Sequence, residues 1–396
     1  MKILYIQDTD WIRRNPITHN HLIERMILRG HEIRVIDYEI LWREEGKKEL
    51  FSKKKIFQVS RLLNEAKHKV IRPGILKIPL LDYLSMFYTY TKEINNQLKE
   101  FQPNIIIGDG IITPFLAFRL GKRYNVKTIY YCLDVDYKLI QFRLLQPLGR
   151  VIESYNMKMA DLVLSNSEVL REYTIIMGVN PEKTKLIKSG IDLKLFNLNI
   201  DGNEIRMKFG IEKKDILLIF VGWLYHFSGL KEVTLSMKNL QRDDIKLLII
   251  GDGDSFSDLQ KIIEKYNIQN KIIMLGRMPY TSIPKYIAAA DICILPAYNN
   301  KIMQYIVPIK MYEYMAMEKP IIATKLPGIV KEFGFRNGVI YIDKSSDAIS
   351  RVIDLKDKGK IHLEGKKARK FVENNDWEKV TDDFEKTLEE LILLNN

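Results

Sequence analysis

Short apolar runs alternate with amphipathic segments along nearly the whole chain. In the front half the runs are KILYIQ (2–7), EIRVID (32–37), NIIIG (104–108), KTIYYCL (127–133) and DLVLSN (161–166). In the back half they are ILLIFVG (216–222), IKLLIIG (245–251), KIIMLG (271–276), DICILP (291–296) and PIIAT (320–324). Apolar on both faces, they predict parallel strands buried between helix layers. Helices are predicted over 17–29, 229–240, 256–267 and 308–318. Strand–helix alternation at this spacing predicts a doubly wound α/β fold. The pattern occurs twice, interrupted over 196–206 (FNLNIDGNEIR) by a polar stretch of no clear period. The expected domains are therefore 1–195 and 205–374, followed by an amphipathic helix within 375–396. Two such domains imply a ligand cleft lined by the carboxyl ends of both sets of strands.

Composition narrows the class. With 396 residues, 46% apolar and 28% charged, the chain has the make-up of a folded protein of two or three domains. Its longest near-continuous apolar stretch, 216–224, is about half of what a bilayer span requires. Acidic residues after the first strand argue against a signal peptide. Cys132 and Cys293, both inside apolar runs, provide neither a disulfide framework nor a zinc site, so a cytoplasmic location is expected. Charge is uneven: residues 1–200 hold 32 Lys and Arg against 22 Asp and Glu, whereas residues 201–396 hold 30 against 28. Ten cations fall between Lys47 and Lys77, ahead of the apolar run ILKIPLLDYLSMFYTY (75–90). Either this is a solvated basic face over ordinary core, or the front half meets an anionic partner such as a membrane surface. No nucleic-acid recognition signature accompanies the cations, so nucleic acid is not an expected partner.

The back half resembles the family 4 glycosyltransferases of the GT-B fold, segment by segment. FVGWLYHFSGLKEV (220–233), IKLLIIGDGDSFSDLQKII (245–263), KIIMLGRMPYTSIPKYIAAADICILP (271–296) and PIKMYEYMAMEKPIIAT (308–324) follow the order of that family's donor-binding domain. RGHEIRVID (29–37), ADLVLSNSEVL (160–170) and KSGIDLKLF (188–196) are similar to segments of its front domain. The resemblance implies two Rossmann-like domains facing across a cleft that closes on the donor, with the last helix packed back on the front domain. It also implies a retaining transfer from a UDP- or GDP-linked sugar to a glycan or lipid-linked hydroxyl, without an obligatory cofactor or metal. An anionic, lipid-linked acceptor would match the charge of the front half and would make the protein peripheral to the inner face of a membrane. The alternatives are a non-catalytic homologue that binds a glycan or partner, and a nucleotide-sugar epimerase.

Within that resemblance Pro308 suits a helix first turn. Lys310 then stands against the helix dipole, a placement that a bound diphosphate would explain. Glu313, one turn on, would accept both hydroxyls of a ribose; a plain Lys310–Glu313 surface pair is the simpler reading. The family commonly has a glutamate where this chain has Tyr305. It often has Arg and Lys where this chain has Trp223 and Ser228, so phosphate neutralisation falls to Lys310, the amides after Gly222, or Arg277. On the front half the family's histidine–aspartate pair is Leu133–Asp134. Asp134 either orients or deprotonates the acceptor hydroxyl, or caps the segment from Tyr137. Arg13, Arg14, His19 and His21 are acceptor-side candidates, with a structural role for the histidines as the other reading. The triplets Asp8/Asp10, Asp134/Asp136 and Asp252/Asp254 carry no expectation of a metal.

Overall fold

The computed structural model describes residues 1–14, 16–43, 49–140, 142–301 and 303–393. The chain forms two compact units, Met1–Ser189 with the chain from Trp377 onward, and Gly190–Asp376. The first unit runs β1 (Lys2–Gln7), α1 (Thr18–Leu28), β2 (Glu32–Ile36), β3 (Lys55–Val59), β4 (His68–Arg72), α2 (Leu81–Glu100), β5 (Ile105–Asp109) and α3 (Ile112–Arg123). It continues through β6 (Lys127–Cys132), α4 (Asp136–Leu139), α5 (Gln146–Met159), β7 (Leu162–Ser165), α6 (Glu168–Ile176) and β8 (Thr184–Leu186). The second unit runs α7 (Asn203–Lys208), β9 (Ile216–Val221), α8 (Leu230–Lys238), β10 (Ile245–Ile250), α9 (Phe256–Lys265), β11 (Ile272–Met274), α10 (Ile283–Ala289) and β12 (Ile292–Leu295). It ends with α11 (Lys310–Ala316), β13 (Ile321–Thr324), α12 (Pro327–Phe333), β14 (Val339–Ile342), α13 (Ala348–Asp357) and α14 (Ile361–Val372). The last helix, α15 (Trp377–Leu393), returns to the first unit.

Each unit is built on one sheet. The first has strand order β3-β4-β2-β1-β5-β6-β7-β8 and the second β11-β10-β9-β12-β13-β14. All pairings are parallel except β3 with β4. Ile3, Leu4 and Ile6 of β1 and Leu217 to Ile219 of β9 are fully buried, as strands covered on both faces require. In both sheets the first strand of the unit lies at the centre, and the loops at the strands' carboxyl ends carry the residues considered below.

Three features differ from the sequence reading. The basic stretch contains the antiparallel pair β3–β4, and several of its charges are used internally. Arg72 is buried against Asp37 and Asp10 (2.7 Å to the latter), Lys77 is buried 3.3 Å from Glu39, and Lys54 bonds Glu93 at 2.6 Å. Each buried cation is held by an acid that itself needs a partner, so these cations are part of the fold. Lys47 and Lys48 lie outside the described residues. The short strand β8 (TKL) carries too little apolar pattern to stand out, whereas β14 (VIYI) is an apolar run that the sequence reading did not name. Finally, the chain passes between units at Ser189–Gly190 rather than within 196–206. Ile191 donates its amide to Asn375 at 2.7 Å and bridges Asp376, and Phe196 is buried in the second core.

Candidate functional site

The second unit places Gly222, Gly251, Gly253 and Gly276 at the carboxyl ends of β9, β10 and β11. Gly222 donates its amide to Ile250 (2.9 Å), Gly251 to Gly276 (2.8 Å) and Leu224 to Asp252 (2.9 Å), so the three loops extend the sheet as a bare backbone shelf. Gly251 has φ +139°, and a Cβ there would lie 1.8 Å from the Gly222 carbonyl oxygen. Gly222, also at φ +139°, leaves the space that the Lys310 ammonium fills: a Cβ at 222 would lie 2.1 Å from Nζ. Only glycine fits either place.

Lys310 opens α11, with Ile309 as N-cap and Pro308 one residue earlier, so the proline precedes the helix rather than starting it. The ammonium sits 4.6 Å from the Phe220 ring centroid and makes no hydrogen bond among the described residues. Surrounding protein pushes its pKa down to about 8, with Glu313 acting in the opposite direction. Glu313 is buried, and burial pushes its carboxyl up to about 7; the Tyr280 hydroxyl donates to Oε1 at 2.9 Å and partly offsets this. The two are therefore no surface ion pair. Among the described residues they are an ammonium without an ion-pair partner, set beside the glycine shelf, and a buried carboxylate with one side-chain donor one turn further on. Chemically the arrangement suits a ligand that brings negative charge to Lys310 and hydroxyl donors to Glu313. Phe220 and Tyr280 were not singled out from the sequence, because one reads as strand core and the other as loop.

The other donor-side candidates are distributed around this shelf. Trp223 lays its indole over the next loop, where a Cβ on Gly253 would come within 2.8 Å of Nε1. It begins an aromatic ladder through Tyr225 (6.3 Å) to Phe227, which stacks on Tyr225 at 4.7 Å. Arg277 is exposed just after Gly276. Ser228 is buried, with its amide bonded to Tyr225 O and its hydroxyl accepting from Leu230 at 3.5 Å, so it closes the turn into α8. Tyr305 ends a single turn, Met303–Tyr305, packed under α12 at Gly328.

In the first unit, Asp134 follows β6. Its carboxylate accepts no hydrogen bond among the described residues, and burial pushes its pKa up to about 6 against the pull of Arg14. The capping alternative fails: the Tyr137 amide donates to Glu153 at 3.0 Å, and α4 has no side-chain cap. Asp109 ends β5 beside His19, 3.8 Å from Nδ1, and burial and Asp134 raise its pKa well above the carboxylate range. Arg14 is exposed and is the cation that acts on His19, Asp109 and Asp134 together. Arg13 lies in the preceding turn, its amide bonded to Asp10 at 2.9 Å. Asp8 and Asp10 are structural: Asp8 accepts the amides of Ile111, Ile112 and Thr113 at the start of α3, and Asp10 holds Arg72. Among the described residues no group of three or more His, Cys, Asp or Glu is placed to hold a metal ion.

The two histidines separate. His19 is buried between Tyr5 and Trp11, and burial with Arg14 lowers its pKa to about 3. His21 stacks on Trp377 of α15 at 4.4 Å and 9°, beside Arg25, which bonds Glu378 at 3.0 Å. Arg29 and His31 add bonds to Glu385 at 2.7 and 2.6 Å, so α1 and α15 are fastened together. His21→Ala is expected to cost about 1–2 kcal/mol of stability at pH 8 through the lost stack. Because the folded His21 pKa lies well below its unfolded value, wild type loses stability as pH falls through about 6.5, so the gap to the variant narrows there. Denaturant unfolding at pH 8 and pH 5.5 measures both effects.

Residues 201–388 match the family model described as Glycosyl transferases group 1, and residues 20–195 match Glycosyltransferase Family 4. A putative teichuronic acid biosynthesis glycosyltransferase, TuaC of Bacillus subtilis, is 28% identical over 195 residues, 49% of this chain and 46% of its own length. An uncharacterised glycosyltransferase of Methanocaldococcus jannaschii is 26% identical over 198 residues, 48% of this chain and 50% of its own. The chain thus spans about half the length of the curated relatives it matches. Among solved structures, HepE of Anabaena in complex with UDP has a TM-score of 0.73 at 16% identity, covering 98% of this chain and all of its own. Sucrose-phosphate synthase of Thermosynechococcus elongatus has a TM-score of 0.77 at 17% identity and covers both chains completely. No helix among the described residues is long and apolar enough to cross a membrane.

Proposed function

Because the chain belongs to the family 4 glycosyltransferases of the GT-B fold, we propose that it moves a sugar from a UDP- or GDP-linked donor to a hydroxyl of a glycan or lipid-linked acceptor. The observation that carries this reading is Lys310, an ammonium without a hydrogen-bonding partner among the described residues, set on the bare backbone of Gly222 one turn before the buried Glu313. In this reading Lys310 and the Trp223 amide after Gly222 hold the diphosphate, with Arg277 as a further cation, and Glu313 takes the ribose hydroxyls. The bond from the sugar's anomeric carbon to the phosphate oxygen breaks, and the bond to the acceptor oxygen forms with retention of configuration. The charge left on the diphosphate is stabilised by Lys310, an electrostatic contribution to the transition state. Asp134 orients the acceptor hydroxyl and takes its proton, with Arg14 beside it to bind anionic groups of the acceptor. Such an acceptor in a lipid anchor makes the enzyme peripheral to a membrane.

Donor use should follow a bell-shaped pH profile. Protonation of Glu313 below about 7 removes its acceptor capacity, and deprotonation of Lys310 above about 8 removes its charge. The profile of kcat/KM for the donor should therefore peak between these values, and Glu313→Gln should flatten the acidic limb while weakening donor use by roughly 1–3 kcal/mol. A non-catalytic homologue is the second reading, favoured by Trp223, Ser228 and Tyr305 where the family commonly has charged residues. Release of nucleoside diphosphate from a panel of UDP- and GDP-sugars separates them: a binding protein releases none.

A further inference from the structure

Helix α5 buries one face through Gly149, Glu153, Asn156 and Met157, yet it presents a second apolar face to solvent. Leu144, in the turn just before the helix, is 95% exposed, Leu148 57%, Val151 67% and Tyr155 44%, at intervals of four, three and four residues. That spacing places them in a single stripe along the helix, on a side the core does not use. Arg143, Arg150 and Lys158 follow a parallel line one residue behind. None of the three forms an ion pair or hydrogen bond among the described residues, in contrast to Lys54, Arg72 and Lys77. Between Tyr137 and Lys158 the only acid is Glu153, which is buried. The cations line an open groove of about 800 Å³ together with Val151, Tyr155 and Ile176. The apolar stripe also continues sideways. Tyr155 packs 5.7 Å from Phe115 of α3, and Phe115 packs 6.5 Å from Phe87 of α2, whose Leu84 and Tyr88 are exposed.

We propose that this face, centred on α5, seats the first unit on an anionic lipid bilayer, with the stripe in the acyl boundary and Arg143, Arg150 and Lys158 at the headgroup phosphates. The inference rests on the membrane-peripheral part of the proposed function and gives it a location that differs from the basic run read in the sequence. A helix with apolar side chains along one line and unpaired cations beside it lies in the plane of a membrane interface, its charges reaching the headgroups while its stripe enters the hydrocarbon edge. A second copy of the chain is a poorer occupant. A two-fold contact would set the three cations against their own counterparts with no exposed acid of α5 to answer them. The apolar part of the 75–90 segment contributes through Leu84 and Tyr88, whereas Arg72 and Lys77 are committed to internal acids.

Sedimentation with phosphatidylglycerol vesicles and with phosphatidylcholine vesicles, at low and high salt, tests the assignment on the full chain. Wild type is expected to pellet with the anionic vesicles, less so at high salt. The triple variant Arg143→Glu, Arg150→Glu, Lys158→Glu should lower partitioning by roughly a hundredfold, from about tenfold for each 1.4 kcal/mol and about 1 kcal/mol per cation. Leu148→Glu with Val151→Glu should also release the protein. A control pair in the other basic region, Lys53→Glu with Lys67→Glu, should leave partitioning near the wild-type level. All positions are exposed, and thermal melts of the variants check that the fold is kept. Unchanged binding by the α5 variants, with loss in the control pair, overturns this location while leaving a peripheral enzyme in place. Wild type remaining in the supernatant with both vesicles overturns the location and the peripheral reading together. Nucleoside diphosphate binding, measured in parallel, then judges the transferase reading separately.

Discussion

Asp134→Asn is expected to lower turnover by roughly a hundred- to ten-thousandfold, the range for removal of a positioned acid–base group, while donor binding and stability stay close to wild type. The expectation follows from what Asp134 lacks. Its carboxylate receives no hydrogen bond among the described residues, and the helix start that it was placed to cap is satisfied by Glu153 instead. Asparagine matches its size, so a purely structural role would leave kinetics untouched. Burial raises the Asp134 pKa to about 6, and Arg14 limits that rise. Below that pH the group is protonated and no longer accepts a proton, so turnover at saturating donor should fall on the acid side in wild type and lose that limb in the variant. Arg14→Ala should move the limb to higher pH, since removing the cation leaves desolvation unopposed. Turnover-number profiles of the three proteins check the prediction; a wild-type rate from Asp134→Asn would remove it from the reaction.

Lys310→Met is expected to lower kcat/KM for the donor by roughly a hundred- to a thousandfold, the range found when a group aimed at developing charge is removed. Methionine keeps the stem against Phe220 and the contact with Gly222, so packing changes little while the charge is gone. Because Lys310 is desolvated to a pKa of about 8 without a ligand, it has an unspent interaction that a diphosphate completes. Binding of that anion should raise the lysine's pKa and therefore take up protons near pH 8, which calorimetry in two buffers of different ionisation enthalpy detects. Gly222→Ala offers a second approach to the same group. Its Cβ would collide with Nζ and its φ of +139° is strained for alanine, so it should displace the ammonium without removing it.

The strand core was legible because buried parallel strands are written as continuous apolar runs, and every run named from the sequence corresponds to a strand. The elements that escaped notice have a different physical basis. Lys55 of β3 and Arg72 of β4 are neutralised by residues distant in the chain, Glu39 for the first and Asp10 and Asp37 for the second, and local pattern carries no trace of such pairings. For the same reason the basic stretch read as a possible face for anions, although Arg72 and Lys77 are committed to internal acids. Arg143, Arg150 and Lys158, without ion pairs or hydrogen bonds among the described residues, are spread over sixteen positions in and just before α5. At the donor shelf the sequence marked Lys310 and Glu313 through helix electrostatics together with the family resemblance, and Gly222 through the resemblance alone. Tyr280 and Phe220 complete that site only through the fold. His21 and His19 had equal standing in the sequence; Trp377, more than 350 residues away, turns one into a structural stack.

Titration calorimetry with UDP and GDP, on wild type and Glu313→Ala, tests the central claim most directly, because it asks whether the glycine shelf with Lys310 and Glu313 is a nucleotide site before any acceptor is known. The account predicts that one of the two nucleotides binds wild type and that the variant binds it about five- to a hundredfold more weakly, the equivalent of one to two charged hydrogen bonds. Equal affinity of both proteins, or no binding of either nucleotide to a folded wild type, would contradict it.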